Sequence, residues 1–349
     1  MVKLLIVDDS VFMRTIIRDM VTGDPSIEVV GTASNGLDAL DKIQALKPDL
    51  ITLDIEMPKM TGIQVLEQLQ KQKRRPKVIM LSSLTSKDAE MTRQAIHLGA
   101  DDFMLKPKDI PHVRDIGAEL VSKIKHLMTL PVQPQPHKIL SEGRAAAERV
   151  VLIGSSAGGP PMLDTLLAEL PPDLPAGVVV TQHMPTGFTA ALAERFDRIA
   201  SMPVKETENG DVVETGKILL SKAGVHTVIS GDMNANNVRI GRVIHSSTPP
   251  LHGVRPAVDK TFESAAHIYG KNIVSVILSG MGNDAGEGAY AIKQAGGTNI
   301  ICDERDCLVY GMARSAIQKN AVDKVLPLNK IAKEVERLVL QMEGTHVRI

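Results

Sequence analysis

Val150-Val151-Leu152-Ile153-Gly154-Ser155-Ser156-Ala157-Gly158-Gly159-Pro160-Pro161 is a short apolar run that ends in small residues and then in two prolines. It reads as strand, tight turn, helix. Glycine lets the backbone turn sharply, and proline suits the first helical turn, where its missing N–H would have no partner anyway. A serine in that turn stands at the edge of a sheet, beside the free N–H groups of a helix N-terminus. Those groups can stabilise an oxyanion, so the setting suits a nucleophile. A phosphate-binding turn or a plain strand–helix connection would use the same small residues. The run matches neither G-x-G-x-x-G nor G-x-x-x-x-G-K-S, and both Ser155 and Ser156 stay open as the reactive residue.

Downstream the pattern repeats. Gly177–Thr181 reads as a strand ending in Gln182-His183, and Asn272–Leu278 as a strand ending in Ser279-Gly280-Met281-Gly282-Asn283-Asp284. If the strands are parallel, a serine, a histidine and a carboxylate share one sheet edge, which is what a Ser–His–Asp triad needs. The glycines flanking Met281 would let its backbone N–H aim at an oxyanion. His226 and His252 are rivals to His183, and either could instead contact substrate. Between these strands, 203–245 holds the β-like runs Lys217–Leu220, Val225–Ile229 and Asn237–Ile240, separated by Gly-Asp and Asn-rich turns. They read as an antiparallel insertion in a doubly wound, mostly parallel α/β sheet.

The first 128 residues alternate strand and helix five times. Val2–Val7 ends in Asp8-Asp9, Leu50–Leu53 in Asp54, Val78–Leu81 in Ser82-Ser83, and Phe103–Leu105 in Lys106-Pro107. The alternation predicts a flavodoxin-like (βα)5 unit with a parallel sheet, whose ligands bind at the carboxyl ends of the strands. Asp8, Asp9 and Asp54 would converge there and repel unless a cation is present. Oxygen ligands with open positions suit Mg²⁺. Lys106 can neutralise a phosphoryl oxygen, and Ser82 can hydrogen-bond one.

At 349 residues the chain predicts two domains, and 43% hydrophobic residues suffice for two cores. The charge is nearly balanced, 40 Lys+Arg against 41 Asp+Glu, so nothing global points to nucleic acid or to an anionic membrane. With no Trp, three Tyr and five Phe, stacking on bases has few candidates. Cys302 and Cys307 form no metal motif. The N-terminus is not a signal peptide and no run is long enough to span a membrane, so a cytoplasmic location is expected. Residues 129–148, with Pro131, Pro134 and Pro136 and then an Ala-rich stretch, read as a linker containing a solvated His137. The expected division is 1–128, linker 129–148, and 149–349.

The segments VDDS, LDIEMP, LSS and FMLKP make the first part resemble the receiver domain of two-component response regulators. That resemblance implies that Asp54 accepts a phosphoryl group from a sensor kinase. It implies that Asp9, Asp54 and the backbone of Glu56 hold Mg²⁺ with Asp8 assisting. Ser82 and Phe103 would be a switch pair, and Lys106 would sense the phosphate. The segments IGSSAGG, QHMPTGF, RPAVDKTF, LSGMGNDAGEGA and CLVYGMARSAI resemble the catalytic domain of chemotaxis protein-glutamate methylesterases, the CheB-type family. A receiver in front is that family's architecture. The resemblance implies removal of methyl esters from glutamates on the signalling helices of methyl-accepting chemotaxis receptors, with methanol as product. In many members receptor glutamines are also deamidated, and a chemotaxis histidine kinase is the phosphodonor. Ser156 would be the nucleophile, His183 the general base, Asp284 the orienting acid and the Met281 amide the oxyanion donor. The domain order further implies a receiver that limits access to the catalytic edge until Asp54 is phosphorylated. Two positions depart from the family pattern. Ala157 stands where the family commonly has Thr, and Ser221-Lys222-Ala223-Gly224-Val225-His226 where it usually has Ala-Pro before a Gly-rich turn and His. Ala157 leaves room for a second expectation, a catalytically impaired binding module gated by phosphorylation.

Overall fold

The computed structural model describes residues 1–72, 75–83, 86–106, 113–129, 145–233 and 239–342. Most of the expected linker, 130–144 with His137, lies outside the described residues. The chain divides into two units, Met1–Gln133 and Pro134–Ile349.

The first unit alternates β1 (Val2–Val7), α1 (Val11–Thr22), β2 (Ile27–Ala33), α2 (Gly36–Leu46), β3 (Leu50–Asp54), α3 (Gly62–Gln70), β4 (Lys77–Ser82), α4 (Ser86–His97), β5 (Asp102–Leu105) and α5 (Val113–Thr129). Its sheet is parallel in the order β2-β1-β3-β4-β5. The central strands are continuous apolar runs because helices cover both faces. Leu4, Ile6, Leu50, Ile79 and Leu81 are buried with Ile17 of α1 and Leu120 and Ile124 of α5. Ser10 caps α1 by accepting the Met13 N–H, and Thr61 and Gln64 close a reciprocal capping box at α3. These caps start each helix directly after the polar turn that ends the preceding strand, so the polar turns gather at one edge.

The second unit runs β6 (Val150–Ser155), α6 (Gly159–Glu169), β7 (Gly177–Gln182), α7 (Thr189–Ile199), β8 (Val204–Glu206), β9 (Ile218–Leu220), β10 (His226–Met233), β11 (Arg239–Ser246), α8 (Val258–Tyr269), β12 (Ile273–Ile277), α9 (Gly286–Gln294), β13 (Thr298–Cys302), α10 (Gly311–Gln318), β14 (Lys324–Leu326) and α11 (Leu328–Gln341). Seven strands form one parallel sheet, ordered β14-β13-β12-β6-β7-β9-β8. The chain leaves β6 toward β7 on one side and returns to β12 on the other. The order reverses at β6, which is where an open α/β sheet forms its ligand crevice.

The insertion differs from the sequence reading. Among the described strands, only β10 and β11 pair antiparallel, as a separate two-stranded sheet. Ile218–Leu220, expected among the antiparallel runs, instead joins the main sheet parallel to β7. All three of its residues are buried, and a strand covered on both faces belongs in the parallel sheet. Among the described residues no helix is long and apolar enough to cross a membrane.

Gly62 fixes where α3 begins. A Cβ there would collide with the Asp54 carbonyl oxygen, while the Gly62 N–H donates to Ile55 O at 3.0 Å. The clash is with backbone and no rotamer relieves it. Gly62→Ala is therefore expected to destabilise the first unit by about 1–3 kcal/mol or more. Calorimetry of the full chain should show its unfolding transition at lower temperature; an unchanged transition would contradict the packing described.

Candidate functional site

Parallel pairing of β6 with β7 sets Ser155 against Gln182, so Ser156 and His183 are the next residues on adjacent strands. Gln182 ties the two ends together. Its Nε2 donates to the carbonyls of Ser156 and His183, both at 2.9 Å, and its Oε1 accepts from Ser155 Oγ at 2.5 Å. The Ser155 hydroxyl is thus buried and engaged, whereas Ser156 is partly exposed. On the other side of β6, the Ser156 N–H donates to Ser279 O at 2.9 Å. Ser279 Oγ donates to Ala157 O at 2.6 Å and accepts the Val309 N–H at 3.0 Å. Gly158 then takes a left-handed φ of 75° and opens α6. A Cβ on Gly280 would press on Ser156 Cβ at 3.0 Å and collide with Met312, so the close approach of the two loops requires glycine.

Asp284 follows β12, and its Oδ2 lies 2.7 Å from His183 Nε2. Backbone N–H groups supply the rest of its shell. Val258 donates to Oδ2 at 2.6 Å, and Asp259 and Ala285 donate to Oδ1 at 2.8 and 3.0 Å. Val258 and Asp259 are the first two residues of α8, so the carboxylate sits on a helix N-terminus that favours negative charge. Burial pushes its pKa up. The hydrogen bond and charge of His183 and the two α8 N–H groups outweigh that and hold it below the ordinary carboxylate value. His183 and Asp284 therefore meet, and Ser156 lies just past the end of the adjacent strand.

Met281 is 69% exposed, in a turn pinned by Gly280 N–H to Val309 O at 2.9 Å and Met312 N–H to Gly280 O at 3.0 Å. The rival His226 lies outside this group. It is buried, its Nδ1 accepts the Ala257 N–H at 3.1 Å, and its Nε2 donates to Pro249 O at 3.0 Å. His252 lies behind Asp284, 3.0 Å from Asp259. In the departing loop, Ser221 is buried against Thr181 at 3.0 Å and the Lys222 N–H donates to Thr207 Oγ1. Sequence reasoning missed Gln182, Ser279 and Asp259. Each acts through space on another segment, and only the polar side chain at or just past a strand end signalled the first two.

In the first unit Asp8 and Asp54 are buried and Asp9 is exposed, yet one oxygen of each lies within 4.8 Å of the others. A cavity of about 260 Å³ beside them is lined by Asp9, Asp54, Glu56, Ser83 and Lys106. Lys106 Nζ is 2.7 Å from Asp54 and 2.9 Å from Asp8. Burial pushes Asp54 up to about 6; Lys106 pulls it down, and the charges of Asp8 and Asp9 add to the rise. Burial works against the Lys106 ammonium, but the two carboxylates raise its pKa above the ordinary value. Ser82 is buried and its Oγ accepts from Thr92 of α4 at 3.0 Å. Phe103 is also buried, with the Lys123 ammonium 5.9 Å from its ring centre.

Fold and site together define the class: a (βα)5 unit with an acidic cluster and a lysine at its carboxyl edge, joined to an α/β unit with a hydrolase-like Ser, His and Asp grouping. Family models match in the same order, a response regulator receiver domain over residues 4–116 and a CheB methylesterase over 151–335. The chain is 55% identical over 346 residues, covering 99% of it and 100% of its relative, to protein-glutamate methylesterase/protein-glutamine glutaminase 1 of Methanospirillum hungatei. A Thermotoga maritima protein-glutamate methylesterase/protein-glutamine glutaminase is 40% identical, with 97% of this chain and 98% of that one covered. The crystal structure of the Thermotoga maritima CheB methylesterase catalytic domain matches 56% of this chain and 100% of its own, with a TM-score of 0.52 and 39% identity. The chain belongs to the CheB methylesterase family and carries a response-regulator receiver domain in front of the methylesterase domain.

The position of Asp54 has a measurable cost. Its folded pKa, about 6, lies above the ordinary 3.8, so folding is favoured when it is protonated, and stability falls as pH rises from about 4 to 6. Asp54→Asn removes that loss. Without divalent cations, urea unfolding of the receiver should show the variant about 2–3 kcal/mol more stable than wild type at pH 7.5, with the gap closing toward pH 4. A gap independent of pH would be the contrary result.

Proposed function

We propose that this chain is a phosphorylation-activated serine hydrolase that removes methyl esters from glutamates of chemoreceptors and deamidates receptor glutamines. The relatives' names support both reactions. The observation that carries the reading is the His183–Asp284 hydrogen bond at the strand end next to Ser156. Asp284 holds His183 through Nε2, which leaves Nδ1 to take the proton of Ser156. Ser156 Oγ then attacks the ester carbonyl, and the charge on the carbonyl oxygen falls to backbone donors, the Met281 N–H among them. The carbonyl re-forms, the C–O bond to the methoxy group breaks, and His183 returns the proton so that methanol leaves. Water, deprotonated by His183, hydrolyses the acyl-enzyme to glutamate and free Ser156. Glutamine follows the same path with ammonia as the leaving group.

In the receiver we assign Asp54 as phosphoacceptor, with a chemotaxis histidine kinase as donor. Three carboxylates facing one lysine carry an excess of negative charge, so the donor set fits a divalent cation. Asp9, Asp54 and the Glu56 backbone would hold Mg²⁺ with Asp8 assisting, and the ion would screen the incoming phosphoryl group. Phosphorylation adds about −1.5 to −2 charges. Lys106 is placed to answer that charge. Ser82 Oγ accepts from Thr92 and donates to Ser83 O, so it can answer by turning its own proton from Ser83 to the phosphoryl group, and Phe103 is the second member of the switch. The working division remains receiver 1–128, linker 129–148 and catalytic domain 149–349.

Methanol release from methyl-labelled receptor membranes tests the esterase. Ser156→Ala should abolish it, Ser155→Ala should retain it, and Asp284→Asn should lower it by about 10⁴-fold, as in other triads. Release by Ser156→Ala equal to wild type would end the serine mechanism. A small-molecule phosphodonor should stimulate wild type but not Asp54→Asn; equal stimulation would remove Asp54 from the switch.

Mg²⁺ binding should depend on pH in a defined sense. Protonation of Asp54 near pH 6 competes with the ion. Calorimetric titration should show affinity about tenfold weaker at pH 5 than at pH 7.5. Equal affinity at both would count against Asp54 as a ligand.

A further inference from the structure

Behind the triad stands a second carboxylate–imidazole pair. Asp259 Oδ2 lies 3.0 Å from His252 Nε2, and its Oδ1 accepts the Gly288 N–H of α9 at 2.7 Å. Asp259 and Asp284 are both buried, and each offers an oxygen within 4.8 Å of the other and of His252. His252, Asp259 and Asp284 form one cluster, which His183 joins through Asp284. Two buried carboxylates so close cannot both ionise cheaply. Asp284 is equipped for the charge, with three backbone donors and His183. Asp259 has a single backbone donor, and burial followed by the charge of Asp284 pushes it up to about 7.

The placing of His252 is a separate observation. It sits in a two-residue turn closed by reciprocal Leu251 and Val254 backbone bonds, with φ of 53° at His252 and 78° at Gly253. A non-glycine residue is strained in that region, and such strain persists where the surroundings hold it.

We propose that Asp259 is a positioning residue of the esterase: paired with His252 behind Asp284, it steadies the Asp284 carboxylate and, by gaining or losing a proton, sets the charge against which His183 works. The inference rests on His183 being the general base. With Asp259 protonated, the network presents one negative charge. With Asp259 ionised, it presents two, and the imidazolium that forms as Ser156 attacks is better stabilised. Lys319 at the end of α10, paired with Glu287 of α9 at 2.5 Å, also feels the charge of Asp259, and both carboxylates raise its pKa.

Asp259→Asn in the full chain is the test, because it keeps an acceptor for Gly288 and imitates the neutral carboxyl. The ratio of wild-type to variant kcat/KM for methyl-ester hydrolysis should rise about fivefold or more between pH 6 and 8.5. A purely structural role would lower the variant equally at all pH values, so a constant ratio overturns the proposal. Should the variant fail to fold, ¹⁵N titration of the His183 ring in wild type still decides. The ring shift is expected to register the protonation of Asp259, and a ring insensitive to it overturns the proposal. A His183→Ala variant with undiminished activity would instead overturn the site reading beneath it.

Discussion

A carboxylate removed from water has to be met by donors, and Asp284 is met by the first turn of α8. That demand interlocks the catalytic domain. Asp284 precedes α9 and takes N–H groups of α8, while Asp259 in the first turn of α8 takes the Gly288 N–H of α9. Each helix N-terminus holds the carboxylate carried by the other. The approach is close enough that a Cβ on Gly288 would lie 2.5 Å from Phe262 Cβ and 3.1 Å from Asp259 Cα. His183 meets Asp284 from the opposite side, at the end of β7. The His–Asp hydrogen bond is therefore as well placed as the packing of two helices on a seven-stranded sheet.

The receiver shows the opposite arrangement. Asp54 and Asp8 are buried in the same way, yet one ammonium, Lys106, pairs with both, and among the described residues no helix N-terminus takes up the Asp54 charge. Asp284 is held below its ordinary pKa and Asp54 is pushed above it. The difference follows from the donors and not from burial, which both share. A site left short of positive charge costs stability in the resting protein, and it is receptive to a cation for the same reason.

Much of this was legible in the sequence because buried parallel strands are unbroken apolar runs. Where such a run stops at a polar residue, that residue lies at the carboxyl edge, as Asp54, Lys106, Ser156 and His183 do. Asp284, six residues beyond the apolar run of β12, came within reach through the glycines that precede it. What stayed hidden depends on contacts between segments distant in sequence. Ile218–Leu220 is too short for its apolar pattern to tell a parallel from an antiparallel partner. Gln182 looked like any polar residue after a strand, although it ties the Ser156 and His183 carbonyls together. Asp259 lay inside a helical pattern and His252 inside a turn, and neither position shows which carboxylate it will face. His226, a plausible rival for His183, is occupied at both ring nitrogens by backbone groups that no spacing rule reveals.

The choice between adjacent serines, and the meaning of the alanine that follows, both come from how the turn is held. Gln182 engages the Ser155 hydroxyl inside the protein and leaves the Ser156 side chain at the surface. Beyond it, the Ala157 carbonyl is fixed by Ser279, whose oxygen also receives the Val309 N–H. The turn is thus secured through backbone atoms of residues 156 and 157 and side chains of residues 182 and 279. Nothing in that scaffold uses the side chain at 157, and the methyl group of Ala157 satisfies it. The turn is therefore held whether or not residue 157 carries a hydroxyl.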